Sequence, residues 1–294
     1  MTPAADLIKW SDWLPLNQSW ANPLVPQLPG LYRIRREGRD DLDYIGQTST
    51  LLRQRLGALR GVYGEEMPYR APHTAGPALW ALRSVSVSGF EVSVAPDEGQ
   101  GRWRKGQEAL AISLYRQERN GSPTVEFGRM PAGFRMSSGS NAQLVRADKR
   151  FRGGTMVEAD ASHLPSLKPA GPFIGQPQST TWCGHHWSEW IPLVEAFGGK
   201  SADGEGLYRL RGEESGRLLY IGQGIVRQRL AAHLAKRLDP KHDQCPLLAA
   251  APRLDCSWVL NGTWFRHQRL ELETDLIAAH VLAMREIPAM QWLG

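Results

Sequence analysis

Short apolar runs alternate along this chain with charged or glycine-containing breaks, and their periods define most of the elements. Leu31 to Arg36 and Asp43 to Ile45 are β-branched and aromatic runs flanking the charged stretch Glu37 to Asp41, a pattern that predicts an antiparallel hairpin. The pair Ser49-Thr50 then precedes Leu51 to Arg60, where Leu52, Leu56 and Leu59 share one helical face. A Pro/Gly-rich excursion follows, then a short helix near Ala78 to Ser84, an alternating strand at Phe90 to Val94 and a helix from about Trp103 to Gln117. The C-terminal part repeats this order. Strands are expected near Leu207 to Arg211, Leu218 to Ile221 and Asp255 to Leu260, with helices near Val226 to Arg237 and Thr263 to Met284.

The repetition extends to residue identity. Lys9-Trp-Ser-Asp-Trp-Leu-Pro-Leu16 returns as His186-Trp-Ser-Glu-Trp-Ile-Pro-Leu193, and Gly30-Leu-Tyr-Arg-Ile34 returns as Gly206-Leu-Tyr-Arg-Leu210. Tyr44-Ile-Gly-Gln47 returns as Tyr220-Ile-Gly-Gln223, and Arg53-Gln-Arg-Leu56 as Arg227-Gln-Arg-Leu230. Four matches in the same order at nearly constant separation mean a duplicated domain. Each copy is expected to be α+β, a small three-stranded antiparallel sheet packed with helices. The boundaries expected are 1–127 for the first domain with its Trp-rich start, 128–180 for a basic irregular linker, and 181–294 for the second domain. Glu108 and Glu273 stand at the same distance before Pro123 and Pro288, so they are equivalent by position.

Composition narrows the setting. At 294 residues with 41% apolar and 22% charged residues, the chain suits two globular domains. A formal charge of +5 permits a polyanionic partner without requiring one. The beginning Met1-Thr-Pro-Ala-Ala-Asp lacks a basic-then-apolar leader, and no apolar run is long enough to span a bilayer, so a cytoplasmic protein with no membrane partner is expected. Three cysteines, Cys183, Cys245 and Cys256, lack CxxC spacing, which fits a reducing compartment. Cys183-Gly-His-His186 has metal-tract composition, but no second cluster supplies the remaining zinc ligands, and it reads as a loop entering an aromatic segment.

The triads Gly30-Leu31-Tyr32 with Tyr44-Ile45-Gly46, and Gly206-Leu207-Tyr208 with Tyr220-Ile221-Gly222, resemble the paired signatures of the GIY-YIG nucleases. The resemblance covers roughly Pro29 to Arg129 and Glu205 onward. In that family an arginine follows on the next helix, often with a histidine one turn later, and a glutamate on a later helix holds a divalent metal. Arg229, His233 and Glu273 match this set, as do Arg55 and Glu108. The first copy departs from it at Leu59, which occupies the histidine position, and the family's late asparagine has its nearest neighbours here in Glu126 and Gln291.

The resemblance implies a metal-dependent DNA endonuclease of restriction or phage-defence type, using Mg²⁺ or Mn²⁺ on double-stranded DNA. The implied catalytic residues are Tyr208, Tyr220, Arg229, His233 and Glu273, and in the first copy Tyr32, Tyr44, Arg55 and Glu108. Glu273 and Glu108 are the implied metal ligands, with Tyr208 as proton acceptor from water. Phosphodiester hydrolysis independently asks for such groups: a hard carboxylate ligand for Mg²⁺, a bidentate arginine for a phosphate oxygen and a positioned acid or base.

Structural explanations compete with each role. The tyrosines suit strand packing, and Arg104 with Glu108, like Arg269 with Glu273, has the spacing of a helix-surface ion pair. The paired tryptophans read as domain-edge packing or as a stack for an exposed base. Residues 128 to 168 carry seven basic side chains against three acidic ones, Asp148, Glu158 and Asp160. Arg146, Lys149, Arg150 and Arg152 are therefore candidate DNA contacts. His73, in the excursion Tyr69-Arg-Ala-Pro-His73, is a candidate substitute for the missing helix histidine. Two nuclease units in one chain are compatible with a monomer cutting one strand per site. The alternatives are one active copy with a degenerate DNA-binding copy, or a nucleic-acid-binding protein without catalysis.

Overall fold

The computed structural model describes residues 8–86, 88–139, 142–156, 164–198 and 202–293. Glu158 and Asp160 of the connecting segment lie outside them. Mixed helix and strand build two compact units, one of Met1–Tyr115 with Ser122–Ser166, the other of Arg116–Gly121 with Leu167–Gly294. Among the described residues no helix is long and apolar enough to cross a membrane.

The first unit is organised around β2 (Gly30–Arg36), which pairs antiparallel with β3 (Leu42–Thr48) on one side and β4 (Phe90–Pro96) on the other. Strand alternation divides the sheet. Tyr32, Ile34, Val92 and Val94 face a core completed by α2 (Leu52–Gly57) and α3 (Gly76–Ser86), while Leu31, Ile45 and Ala95 join a second cluster with Ala111 and Ile112 of α4 (Gly101–Arg119). Leu59 is fully buried in the first core, just beyond the short helix that was expected to run to Arg60. A histidine there would have to be desolvated among aliphatic side chains.

The second unit repeats the scheme with β8 (Glu205–Gly212) between β9 (Leu218–Ile225) and β10 (Leu254–Leu260), followed by α6 (Val226–Arg237), α7 (Cys245–Ala250) and α8 (Arg266–Met284). Even the irregularity is repeated, since the central hairpin shifts register at Ile34/Arg35 in one unit and at Leu210/Arg211 in the other.

Each sheet has four strands rather than the three expected. The fourth is a two-residue strand, β1 (Leu14–Pro15) beside β4 and β7 (Ile191–Pro192) beside β10, giving the orders β1-β4-β2-β3 and β7-β10-β8-β9. Its proline marks an edge position. The tryptophans before it explain why so short a strand persists. Arg33 lies 4.7 Å from the ring centres of both Trp10 and Trp13, and Arg209 lies 4.2 and 4.5 Å from those of Trp187 and Trp190. Ser93 and Ser257 donate to the Ser11 and Ser188 carbonyls at 2.7 and 2.8 Å. The repeated Trp-Ser-Asp/Glu-Trp segment is thus spent on cation–π packing against its own sheet, not left open for a base.

The expected irregular linker is partly ordered onto the first unit. β5 (Phe134–Arg135) pairs with β6 (Gly154–Thr155) around α5 (Ala142–Arg146), and this arm grips the chain before His73. Ser137 donates to the Pro68 carbonyl at 2.6 Å, Arg152 to the Met67 carbonyl at 2.9 Å, and the Arg70 N–H to the Ser138 carbonyl at 3.3 Å. Backbone polar groups that a free linker would leave to water are satisfied here, which is why part of the segment is ordered.

Candidate functional site

The register of each central hairpin sets the first part of the site. Tyr32 pairs directly with Gly46, and Ile34 with Tyr44; likewise Tyr208 pairs with Gly222, and Leu210 with Tyr220. Both tyrosines of a unit therefore stand on one face as diagonal neighbours. The glycine between them is a steric requirement. A Cβ at Gly46 would lie 2.5 Å from the Tyr32 hydroxyl, and one at Gly222 would lie 2.6 Å from that of Tyr208. With no side chain there, the Tyr32 and Tyr44 ring centres come within 6.1 Å and those of Tyr208 and Tyr220 within 5.9 Å.

A histidine joins each pair. In the second unit His233, buried on α6, places Nε2 3.1 Å from the Tyr208 hydroxyl and its ring centre 4.7 Å from that of Tyr220. In the first unit that place is filled by His73, whose Nε2 is 2.7 Å from the Tyr32 hydroxyl and whose ring is 5.7 Å from that of Tyr44. The helix histidine missing at Leu59 is replaced from a loop. Burial holds His73 well below the ordinary histidine range and brings His233 down to about 3, so both rings are neutral near pH 7.

Arginine and glutamate complete the constellation. Arg55 Nε donates to the Tyr32 hydroxyl at 3.4 Å and its Nη1 to the Pro72 carbonyl at 2.8 Å. Arg229 is more exposed and donates through Nε to the Gln223 carbonyl at 3.2 Å. Burial raises Glu273 to about 8, opposed by the charge of Arg229, and Glu108 to about 7, opposed by the Gln47 backbone N–H and by Arg55. Both residues are half-buried. The same charges act on the tyrosines. Burial lifts Tyr208 well above its ordinary value, Tyr220 adds to the rise, and Arg229 opposes it. Tyr32 is raised by burial and pulled back by Arg55. The structure thus groups Tyr32, Tyr44, Arg55 and Glu108 in the first unit and Tyr208, Tyr220, Arg229 and Glu273 in the second.

The ion-pair explanation does not describe the neighbouring arginines. Arg269 makes a two-pronged pair with Glu205 at 2.8 and 2.9 Å, and Arg104 turns to the Asp97 carbonyl at 3.0 Å, so neither is given to Glu273 or Glu108. Glu126 and Gln291, nearest the family's asparagine position, have one shared role. Glu126 accepts the Ile45 N–H at 2.9 Å and Gln291 accepts the Ile221 N–H at 3.1 Å, each followed by a residue of positive φ, Phe127 or Trp292. Their equal spacing beyond Pro123 and Pro288 was the signal. Only Glu126 can ionise, and burial with the nearby Glu108 raises it to about 8.

Among the described residues no cluster of three or more His, Cys, Asp or Glu could hold a metal. A Mg²⁺ held by one carboxylate and its own waters needs no such cluster, and Glu273 and Glu108 would have to lose a proton to hold one in this way. In the Cys183-to-His186 tract, Cys183 is buried at positive φ, and the buried His185 packs against Trp187 and Trp264. Of the basic candidates, Arg146, Lys149 and Arg150 are exposed, and Arg150 lies 4.5 Å over Tyr69. Arg152 is engaged with Glu66 at 3.1 Å. No protein-family model, no curated protein and no solved structure matches the chain.

Proposed function

We propose that this chain is a divalent-metal-dependent DNA endonuclease of restriction or phage-defence type, built from two GIY-YIG-type domains with one phosphodiester-hydrolysing site in each. The observation that carries the reading is the twice-made constellation of two tyrosines over a glycine, a neutral histidine, an arginine and a desolvated glutamate. Packing alone would account for the tyrosines. It would not place an arginine and a buried glutamate beside them in both units.

The roles follow from the donors and acceptors present. Arg229 and Arg55 supply fixed positive charge and paired N–H groups for a phosphate oxygen. Tyr208 and Tyr32, each having first given up its own hydroxyl proton, receive the proton of the attacking water, with Tyr220 and Tyr44 orienting that water. His233 acts on the Tyr208 proton. Glu273 and Glu108 would hold Mg²⁺ or Mn²⁺, which supplies charge neutralisation at the phosphate and the leaving oxygen. The exposed Arg146, Lys149 and Arg150 would neutralise backbone phosphates of double-stranded DNA. Incubation of the purified chain with assorted plasmid and phage DNAs tests this reading. Cleavage in Mg²⁺ and none in EDTA is expected; intact DNA under every condition, with or without binding, would defeat it.

A further inference from the structure

The two units differ in the loop that joins the third long strand to the glutamate-bearing helix. In both, the first residue after the strand closes a short turn with its side chain: Asp97 Oδ1 accepts the Gly99 N–H at 2.8 Å, and Asn261 Oδ1 accepts the Thr263 N–H at 2.9 Å. In both, a buried arginine of the helix grips a loop carbonyl, Arg104 that of Gly99 and Arg269 that of Trp264. The residue so gripped is a tryptophan in the second unit and a glycine in the first. The Trp264 ring packs 6.1 Å from that of His185. Ile8 stands at the position of His185 in the repeat, and Gly99 sends no side chain toward it. A Cβ at Gly99 would lie 2.8 Å from Asp97 Oδ1 and 3.2 Å from Trp103 Cδ1.

At this place the first unit has a pocket of about 400 Å³, with Ile8 in its wall. The buried Leu31 and Ala95 form an apolar base on the sheet face that packs on α4, opposite the face carrying Tyr32. The half-buried Trp103 lines one side, and Asp97, Gln107 and the exposed Lys9 supply polar groups. Asp97 Oδ2 is buried with no hydrogen bond among the described residues, 3.9 Å from Arg104 Nε. A carboxylate oxygen withdrawn from water in this way is an acceptor short of a donor. Arg104 also holds the Asp97 carbonyl at 3.0 Å, so the loop presenting that oxygen is fixed in advance.

We propose that this pocket of the first unit holds an unstacked nucleobase bearing an exocyclic amine beside a ring nitrogen, as cytosine and adenine do. A flat heterocycle takes the place that the Trp264 indole has in the second unit and stacks on Trp103. Its amine donates to Asp97 Oδ2, and the Gln107 amide donates to the ring nitrogen. Lys9 at the rim meets the phosphate of the same nucleotide. Thymine would turn a carbonyl oxygen toward the carboxylate, and two acceptors facing each other exclude it. Gln107 directly precedes Glu108 on α4, so the base belongs to the strand lying at the first site. That last link rests on the nuclease reading; the base pocket rests on the loop and its lining. Base identity is therefore read beside one of the two sites only.

NMR titration of the full-length chain carrying ¹⁵N-labelled tryptophan tests the pocket without metal and without cleavage. The probes are dCMP, dAMP and dTMP, and the Trp103 indole signal is assigned from the spectrum of Trp103→Phe. A saturable shift of that signal with dCMP or dAMP is expected, with dTMP at least about tenfold weaker. Asp97→Asn should bind with that preference lost, because an amide can donate to the thymine carbonyl. The variant keeps the turn, as Asn261 does in the second unit. No saturable shift with dCMP and dAMP, an equal response to all three nucleotides, or an undiminished preference in Asp97→Asn would each overturn the proposal. Selective binding by a protein that cuts no DNA would sink the nuclease reading alone, and an active nuclease whose Trp103 signal answers no nucleotide would sink the pocket alone.

Discussion

The two units share a sheet order, a hairpin register and a ring geometry, yet they assemble their sites from different pieces of chain. The second draws His233 and Arg229 from one helix, so a single element fixes both. The first has only Arg55 on its short helix and brings His73 from a loop on the far side of a proline. Position in space, and not position in a helix, is what the hydroxyl of the central tyrosine requires. The second contrast is that one site holds an ionisable residue, because Glu126 takes the place of Gln291 while keeping its hydrogen bond to the strand.

The largest expected effect tests whether the units are equivalent at all. Glu273→Ala and Glu108→Ala should each convert linear plasmid product into nicked circles, and the double variant should bind without cutting. Loss of all cutting with Glu273→Ala and none with Glu108→Ala would make the first unit a binding domain. Next in size, Arg229→Lys should slow nicking by about 10²-fold through loss of bidentate phosphate contact. Arg55→Lys should cost more, since Arg55 also donates to Tyr32 and Pro72. Rates measured in the background of the opposite glutamate variant separate the two; equal losses would break this distinction.

A smaller effect sharpens the contrast between Glu126 and Gln291. Glu108 and Glu126 have folded values of about 7 and about 8, both above the ordinary carboxyl value of 4.5. A raised folded value means that the folded state binds more protons than the unfolded one between those limits, so stability falls as pH rises from about 4.5 to about 8. In EDTA, thermal melting of the first unit should therefore weaken by several degrees from pH 5 to pH 8. Glu126→Gln should flatten that slope, which scanning calorimetry across the range would register; an unchanged slope would remove Glu126 as its source. The smallest effect concerns the arm. Single alanine substitutions of Arg146, Lys149 or Arg150 should each lower the salt slope of DNA binding by about 1, and Arg152→Ala by less because Arg152 is paired with Glu66. Filter-binding titrations over a salt series would measure it.

Much of this was legible in the sequence because the duplication prints each local rule twice. Strand alternation and the two tyrosine–glycine signatures placed the central hairpins, and helical periodicity placed α6 at the bounds Val226–Arg237 later found. Less legible were interactions that depend on distant pairing. Leu14–Pro15 is too short to carry a period and becomes a strand only through its neighbour β4. The arm at 134–155 is rich in Gly, Ser and Arg, a composition that reads as solvated, and its order comes from carbonyls of the His73 excursion. The exchange of Gln for Glu at position 126 was visible as a letter, but its hydrogen bond to Ile45 needed the fold.

The grip of the arm on residues 67–70 also sets an order of events during synthesis. Tyr32, Tyr44, Arg55 and Glu108 leave the ribosome well before Arg135 to Thr155, yet the loop presenting His73 is anchored by Ser137, Ser138 and Arg152. Contacts closing so long a segment form late. A nascent first unit therefore holds its charged residues before it holds its histidine in register, and its site matures only once the arm has emerged and closed upon the loop.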